Sequence, residues 1–192
     1  MEYELNQKRE LKKNKKIDIL ILGVNPANWI DTSEKIKNGY YVFLKWMVDI
    51  SKLNPDLNIE YKHHETFKGD KIEEKIFFNS NIKKSIYGDK NLSSYDYLVN
   101  SSIAFSYCST MVLEAQALKK FAFFVDPNNV ATTFFSYLPS LKKLRINNFK
   151  ELNKTIKRII YKKGLTSVFE SSDKICLNSK NVTKNLINYL KN

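Results

Sequence analysis

The segment 103–126 constrains the fold of this chain more than any other, because a strand, a turn, a helix and a second strand are predicted within it. The apolar run 103–105 predicts a short strand, and 121–125 predicts a fully buried strand that ends at Asp126. Good helix formers occupy the middle of the segment. Strands that alternate with helices pair in a mostly parallel sheet, with the helices packed on its faces. The segment therefore predicts an α/β fold.

The turn before the predicted helix is rich in hydroxyl groups. Ser106, Ser109 and Thr110 follow the first strand, and Thr110 is the expected N-cap of the helix. Glu114 lies one turn further along, which points it toward the same turn. The start of a helix attracts phosphate, because its first backbone N–H groups and the helix dipole favour negative charge there. The turn is therefore a candidate site for a nucleotide phosphate.

Further strands and helices are predicted from the spacing of apolar residues along the rest of the chain. The strands are 17–24, 57–62, 76–78 and 143–146, and the helices are 40–50, 95–99, 149–160 and 182–190. No repeat or low-complexity linker divides the chain. We therefore expect a basic leader, 1–16, and one Rossmann-like domain, 17–192, in which a parallel sheet has helices on both faces.

Polar segments directly follow several predicted strands: Gly23 to Asn25, the pair His63-His64, Asn79 to Asn81, and Ser106 to Thr110. In parallel sheets, ligands bind outside the carboxyl ends of the strands, so these segments are expected at one edge of the sheet. The sequence therefore predicts a single cleft whose residues are far apart along the chain.

The size and charge of the chain limit the classes of protein to which it can belong. Its 192 residues, 43% of them hydrophobic, suffice for one core and exclude a disordered chain. The formal net charge of +12 points to nucleic acid, an anionic membrane or a phosphorylated ligand. Nucleic acid is disfavoured, because only Arg9, Arg145 and Arg158 supply the guanidinium groups that base readout prefers. The N-terminal segment lacks the apolar core of a secretory signal, which predicts a cytoplasmic protein.

Several kinds of site are missing from the sequence. The five glycines are too dispersed to form G-x-G-x-x-G, and neither a P-loop nor a G-x-S-x-G elbow occurs. The two cysteines have no C-x-x-C context, so neither a disulfide nor a zinc site is indicated. We expect no metal and no resident cofactor.

Two short motifs resemble the C-terminal, nucleotide-sugar-binding domain of GT-B glycosyltransferases that make bacterial surface polysaccharides. In the capsule-type and sialyltransferase-like branches, Lys-x-His-Pro follows an early strand, and Ser-Ser/Thr followed by Glu-Ala opens a later helix. Lys62-His63-His64-Glu65 is similar to the first motif, with Glu65 in place of proline. Ser109-Thr110 and Glu114-Ala115 are similar to the second. GT-B enzymes usually have two such domains, and this chain has the length of one.

The resemblance implies half of a GT-B fold and the transfer of a sugar from a CMP-, CDP- or UDP-linked donor in capsule or lipopolysaccharide synthesis. By the same resemblance, Ser109 and Thr110 would hold the donor phosphate, and Glu114 would accept from the ribose hydroxyls. His64 would contact the phosphate as charge moves onto it. The predicted nucleotide-binding residues also include Asn25 and Asn79. The implied partners are a glycan or lipid-linked acceptor and an N-terminal acceptor domain or subunit, with a peripheral position at the inner membrane.

Each of these residues also has a purely structural interpretation. His63 and His64 can end a strand and bond a loop. Ser109 and Thr110 can cap a helix, and Glu114 can lie on a solvated helix face. The lysines are scattered among asparagines and isoleucines, so compositional bias explains much of the charge. The competing function is a noncatalytic module that binds RNA or an anionic membrane through its basic surface.

Overall fold

The structure is a computed structural model that describes residues 16–26, 34–85, 93–118, 120–130 and 143–161. Strands and helices alternate along these ranges. The strands are β1 (Ile17–Leu22), β2 (Ile59–Lys62), β3 (Lys83–Lys84), β4 (Ser101–Ser106), β5 (Phe121–Val125) and β6 (Arg145–Ile146). The helices are α1 (Glu34–Leu53), α2 (Lys71–Phe77), α3 (Ser94–Asn100), α4 (Met111–Ala117) and α5 (Phe149–Tyr161).

The strands form one parallel sheet in the order β3-β2-β1-β4-β5-β6. Residues of α1, α2 and α5 pack on one face, and residues of α3 and α4 pack on the other. The expected fold, a Rossmann-like parallel sheet with helices on both faces, is confirmed. From β1 the chain builds outward to β3 and then resumes on the other side of β1 with β4. The sheet therefore has its topological switch point between β1 and β4, where domains of this kind bind ligands.

Strand β1 occupies the middle of the sheet and is buried on both of its faces. Ile19 pairs with Ile59 of β2 on one side and with Ile103 of β4 on the other. Ile19 packs into the core under α1, whereas Leu20 packs into the core under α3 and α4. Branched apolar side chains suit a strand that is covered on both faces. This packing holds the end of β1, and the turn that follows it, in a defined position.

Helix α1 is held to the sheet by a stripe of apolar side chains. Tyr40, Phe43, Leu44 and Met47 recur at helical spacing, and all four are fully buried. The helix predicted at 40–50 is confirmed and is longer than expected. It ends where the side chain of Asn54 donates to the carbonyl oxygen of Ile50 at 2.9 Å, before a proline.

The strand predicted at 76–78 is wrong, because these residues lie in and directly after α2. Asp70 caps this helix: its Oδ1 accepts from the backbone N–H groups of Ile72 and Glu73, both at 2.9 Å. The buried residues of the helix are Glu73 and Phe77, one turn apart. Because one of the two is charged, the apolar periodicity of this segment gives no helix signal. The strand in this part of the chain is β3.

The other predicted strands occur close to their expected positions. The strands predicted at 17–24 and 57–62 are shorter in the structure, and the one predicted at 103–105 is longer. The helix predicted at 182–190 and the leader, apart from Lys16, lie outside the described residues. The division into a leader and a single domain stays a prediction.

Candidate anion-binding site

A cavity of about 350 Å³ lies at the carboxyl edge of β2, β1 and β4. Four segments line it: the end of β1 with the glycine that follows, residues 62–65 at the end of β2, residues 93–95 at the start of α3, and residues 109–111 with Glu114 at the start of α4. The parallel sheet brings these segments together at its switch point. The volume falls within the range of small-molecule sites. We call this space the switch-point cavity.

Most of the predicted site residues meet at this cavity. Those that line it are His64, Ser109, Thr110 and Glu114. Asn25 is joined to them indirectly, since its Nδ2 donates to Thr66 Oγ1 at 3.0 Å and Thr66 Oγ1 bonds His64 Nδ1 at 3.1 Å. The cleft predicted from residues after different strands is therefore present in the fold.

The position predicted for Asn79 is wrong. This residue follows α2 instead of a strand, and it is not one of the residues that line the switch-point cavity. Its backbone φ is 62°, a left-handed conformation that asparagine adopts in turns more readily than most residues. The error follows from the strand predicted at 76–78. That prediction placed Asn79 at the carboxyl end of a strand, whereas the residue follows helix α2.

The first turn of α4 is capped by a different hydroxyl from the one expected. Thr110 occupies the N-cap position, as expected, but its backbone is helical and its side chain makes no capping hydrogen bond. Ser109 Oγ instead accepts from the backbone N–H of Met111 at 3.2 Å. Thr110 is exposed at the cavity wall. Its hydroxyl is therefore not committed to the helix.

Glu114 is held in place by a tyrosine from the opposite wall. The hydroxyl of Tyr95 donates to Glu114 Oε2. The hydrogen bond to Glu114, followed by burial and the Glu114 charge, raises the pKa of Tyr95 to about 12. The phenol therefore stays protonated and remains a donor at neutral pH. One oxygen of the carboxylate is thus oriented by Tyr95, and the carboxylate retains further lone pairs for a ligand.

Lys62 is a cavity residue that was not among the predicted site residues. Only 7% of its surface is exposed, and its Nζ lies 5.6 Å from the centroid of the Tyr97 ring. Among the described residues, that ring is the partner recorded for the ammonium group, and no acceptor bonds it. A buried cation without an anion is costly, and contact with an aromatic face offsets only part of that cost. Lys62 therefore gives the cavity a positive charge that an anionic ligand would pair.

The sequence of β2 did contain a sign that Lys62 is buried. Tyr61 and Lys62 are both buried, on opposite faces of that strand. A lysine inside a buried strand is rare and usually has a partner. Because the chain contains many lysines, its composition gives no sign that this particular lysine is buried.

His64 is held as a neutral imidazole with a defined tautomer. The backbone N–H of Thr66 donates to His64 Nδ1 at 3.2 Å, so Nδ1 is an acceptor and the proton is on Nε2. Burial lowers the pKa of His64, although the charge of Glu65 opposes the shift. At neutral pH the Nε2–H group is therefore a hydrogen-bond donor on the ring that lines the cavity.

His63 also borders the cavity, but its packing differs from that of His64. Its ring stands edge-on against Tyr61, with the centroids 5.0 Å apart, and its backbone N–H donates to Ser85 Oγ at 3.0 Å. Burial, followed by the charges of Lys84 and Lys62, lowers the pKa of His63. The two adjacent histidines thus have different surroundings.

The described residues offer neither a metal site nor a reactive thiol. No group of three or more His, Cys, Asp or Glu side chains there could hold a metal ion. Cys108 is half-buried, and burial, together with the charge of Asp126, raises the pKa of its thiol to about 12. This thiol is therefore a poor nucleophile. No helix in the described ranges is long and apolar enough to cross a membrane.

Comparison with known proteins supports the fold. No protein-family model matches the chain, and no curated protein matches its sequence. A solved structure from Listeria monocytogenes, assigned as a UDP-N-acetylglucosamine 2-epimerase, is similar with a TM-score of 0.50 and 15% sequence identity, over 85% of this chain and 39% of that one. A second structure, Thermosulfurimonas dismutans KpsC, described as a beta Kdo 2,7 transferase, aligns with a TM-score of 0.38 and 18% identity, over 66% of this chain and 39% of that one.

At such low identities the shared property is the fold. The first likeness supports a GT-B-like, Rossmann-like fold, and the TM-score of the second is too low to add to it. This chain spans 39% of the length of each solved protein.

Proposed function

We propose that this domain binds the nucleotide-sugar donor of a GT-B glycosyltransferase that acts in the synthesis of a bacterial surface glycan. The observation that carries the proposal is the meeting of complementary groups at the switch-point cavity. A buried ammonium, a neutral imidazole donor, two hydroxyls and an oriented carboxylate converge there. Phosphate requires the cationic and neutral donors, and ribose hydroxyls require the carboxylate as acceptor.

Each group has a distinct role in the proposed site. Lys62 would pair with the donor phosphate, and the hydroxyls of Ser109 and Thr110 would donate to it. Glu114 would accept from ribose hydroxyls. When the bond between the sugar and the phosphate breaks, the electron pair stays on the phosphate oxygen. His64 would then donate from Nε2 to the leaving phosphate as its charge grows.

Transfer also needs an acceptor, which in this proposal is a glycan or a lipid-linked sugar. An acceptor-binding domain or subunit would bring it to the donor cavity, in keeping with the two-domain organisation of GT-B enzymes. A peripheral position at the inner membrane would follow from a lipid-linked acceptor and the basic surface. The donor would be linked to CMP, CDP or UDP.

The proposal is tested by calorimetry with CMP, CDP, UDP and NAD. We expect a pyrimidine nucleotide to bind more tightly than NAD, because the phosphate and ribose groups are present and the glycine fingerprint for a dinucleotide is not. His64→Ala should weaken the preferred nucleotide by about tenfold to a hundredfold, since a hydrogen bond to a charged group is lost. Because His63 also borders the cavity, the control is Lys83→Met, at an exposed position in β3 outside the cavity lining, and it should leave affinity unchanged. Preference for NAD, or no nucleotide binding by a folded sample, contradicts the proposal.

A further inference from the structure

A second buried polar cluster packs against Gly23, one of the residues that line the switch-point cavity. It consists of Tyr40 from α1, Tyr61 from β2 and Glu73 from α2. The hydroxyl of Tyr40 donates to Glu73 Oε1 at 2.6 Å, and the hydroxyl of Tyr61 lies 3.3 Å from Glu73 Oε2. The two hydroxyls are 3.0 Å apart. We call these three residues the buried triad.

The carboxyl group of the buried triad has an unusual environment. Glu73 is 2% exposed, and in the described part of the chain it forms no ion pair. Burial raises the pKa of Glu73 to about 7, with Asp70 adding to the shift, while the bonds from Tyr40 and Tyr61 and the charge of Lys84 oppose it. Burial also raises the pKa of both phenols, so they remain protonated donors. Glu73 is therefore the member of the triad that can change its charge near neutral pH.

Two glycines pack so closely against the triad that a side chain at either position would collide with it. A Cβ atom on Gly23, which lines the switch-point cavity, would stand 2.6 Å from the Tyr61 hydroxyl. A Cβ atom on Gly69 would stand 2.7 Å from Glu73 Oε2, and the φ of Gly69 is +101°. Gly23, which lines the cavity, therefore packs closely against the Tyr61 hydroxyl, and that hydroxyl bonds Glu73.

His63 provides a second connection between the triad and the cavity. Its ring packs edge-on against Tyr61 and lines the switch-point cavity. It also lines a smaller cavity of about 180 Å³ whose wall includes Glu73, Gly69 and Lys84. His63 thus borders both the switch-point cavity and the smaller cavity that Glu73 lines.

We propose that Glu73 is a positioning residue for the switch-point cavity, and that the gain or loss of one proton on its carboxyl group sets how tightly the cavity holds an anion. The inference rests on the proposed function, since it concerns the same cavity. Protonated Glu73 is neutral, and the positive potential of Lys62 then acts on the ligand undiminished. Deprotonation places a negative charge on the carboxyl group that bonds the Tyr61 hydroxyl, which packs against Gly23, and that lines the smaller cavity together with His63. This charge repels an anion in the switch-point cavity.

The other groups around Glu73 do not remove this effect. The groups that face it from the surrounding elements are Tyr40 of α1, Tyr61 of β2, His63 and Lys68 of the loop, Asp70 and Glu74 of α2, and Lys84 of β3. Lys68 and Lys84 are exposed, so solvent screens their charges. The two phenols stay neutral. The change in charge near neutral pH is thus on Glu73.

The test compares the pH dependence of UDP binding in three forms of the protein. Calorimetry at pH values from 6 to 8 is done with the wild type, Glu73→Gln and Glu74→Gln. The terminal phosphate of UDP also titrates in this range, and comparison of the forms at each pH removes that contribution. Glu74→Gln is the matched control, because it removes the same charge from an exposed neighbour on the same helix.

We expect the Kd of the wild type to rise between pH 6 and 8 by about threefold to tenfold more than that of Glu73→Gln, as one repelling charge at this depth implies. Glu74→Gln should follow the wild type. Equal pH dependence in the wild type and Glu73→Gln, with UDP bound by both, overturns the inference and leaves the proposed function standing. Failure of the folded wild type to bind UDP or any other pyrimidine nucleotide at any of these pH values overturns both.

Tyr40→Phe supplies a second test that does not depend on the folding of Glu73→Gln. This change removes the 2.6 Å hydrogen bond to the carboxylate and keeps the buried ring. Because that bond favours the charged form, its loss should move the midpoint of the affinity profile to higher pH. A midpoint that stays where it is in the wild type overturns the inference, whatever the variant does to stability.

Discussion

Lys62 is the residue at which binding and stability should oppose each other. It carries a charge in a buried position, with an aromatic face as its recorded partner among the described residues. We expect Lys62→Met to weaken UDP binding by about tenfold or more, because the cation that pairs with phosphate is lost. The same change should raise the free energy of unfolding by on the order of 1 kcal/mol, since an uncompensated charge leaves the interior.

Calorimetry and urea unfolding of the same sample measure the two effects. Lys83→Met, at an exposed position in β3, controls for the loss of net charge. A Lys62→Met protein that binds UDP as the wild type does would remove Lys62 from the site. A variant that loses both binding and stability would make Lys62 a structural residue.

Glu73 should also make the stability of the protein depend on pH. Burial is the main reason why its pKa is about 7 in the folded protein, compared with 4.5 for an unperturbed glutamate. The folded state therefore binds the proton more tightly than the unfolded state. The resulting stability is fully present below pH 4.5 and is lost as the pH rises through 7. We expect a loss of up to about 3 kcal/mol from this group.

Urea unfolding at several pH values between 4.5 and 8 measures this contribution as the difference between the wild type and Glu73→Gln. The two histidines have lowered pKa values and contribute stability that is lost toward acid pH, and the difference between the two proteins removes their contribution. Parallel stability curves for the two proteins would show that Glu73 titrates at its ordinary pKa.

Helix α3 should depend on its capping box for both stability and the alignment of the cavity wall. Ser93 Oγ accepts from the backbone N–H of Asp96 at 3.3 Å, and the backbone N–H of Ser93 donates to Asp96 Oδ2 at 2.7 Å. Ser93→Ala should lower the free energy of unfolding by about 1 kcal/mol. The next residue offers the control, because Ser94→Ala leaves the box intact. Equal unfolding curves for Ser93→Ala and the wild type would contradict this prediction.

The elements that the sequence predicted well are those buried on both faces. Strand β5 is a continuous apolar run, and β1 and β4 contain the apolar runs 19–22 and 103–105; a doubly covered parallel strand is the structure in which such runs occur. Helix α2 escaped prediction because its seven residues bury a glutamate and a phenylalanine, so no apolar period appears. β3 has only two residues, both exposed lysines, and its pairing depends on β2 rather than on its own sequence.

The site was predictable where residues follow a strand directly and was not where it depends on long-range packing. His64, Ser109, Thr110 and Glu114 were expected at one edge because their strands are parallel. Lys62 contacts Tyr97 of α3, and the hydroxyl of Tyr61 bonds Glu73 of α2. Such contacts join segments whose spacing in sequence gives no sign of their distance in space.

At the scale of the whole molecule, the net charge of +12 supports a competing function, the binding of RNA or an anionic membrane. Salt separates this from a pocketed nucleotide. Between 50 and 200 mM salt, we expect UDP affinity to change by less than about tenfold, whereas contacts to many phosphates would lose about a thousandfold. Fluorescence anisotropy with a labelled RNA and calorimetry with UDP provide the two values. RNA binding that is tight at 50 mM salt, weakens about a thousandfold by 200 mM and is not displaced by UDP would favour the competing function.

The central position of β1 affects the order in which the strands pair while the chain is being synthesised. The hydrogen bond from Ser106 Oγ to the carbonyl oxygen of Leu22 joins residues 84 positions apart, and it lies where β1 and β4 end side by side. Two strands so far apart in sequence pair slowly, because the entropic cost of closing a long loop comes before any stabilising contact forms. A chain still emerging from the ribosome can join β1 to β2 long before β4 exists. A ligand can therefore bind at this edge only after β4 has been synthesised and has paired with β1. Its binding stabilises only chains that have reached this stage of folding.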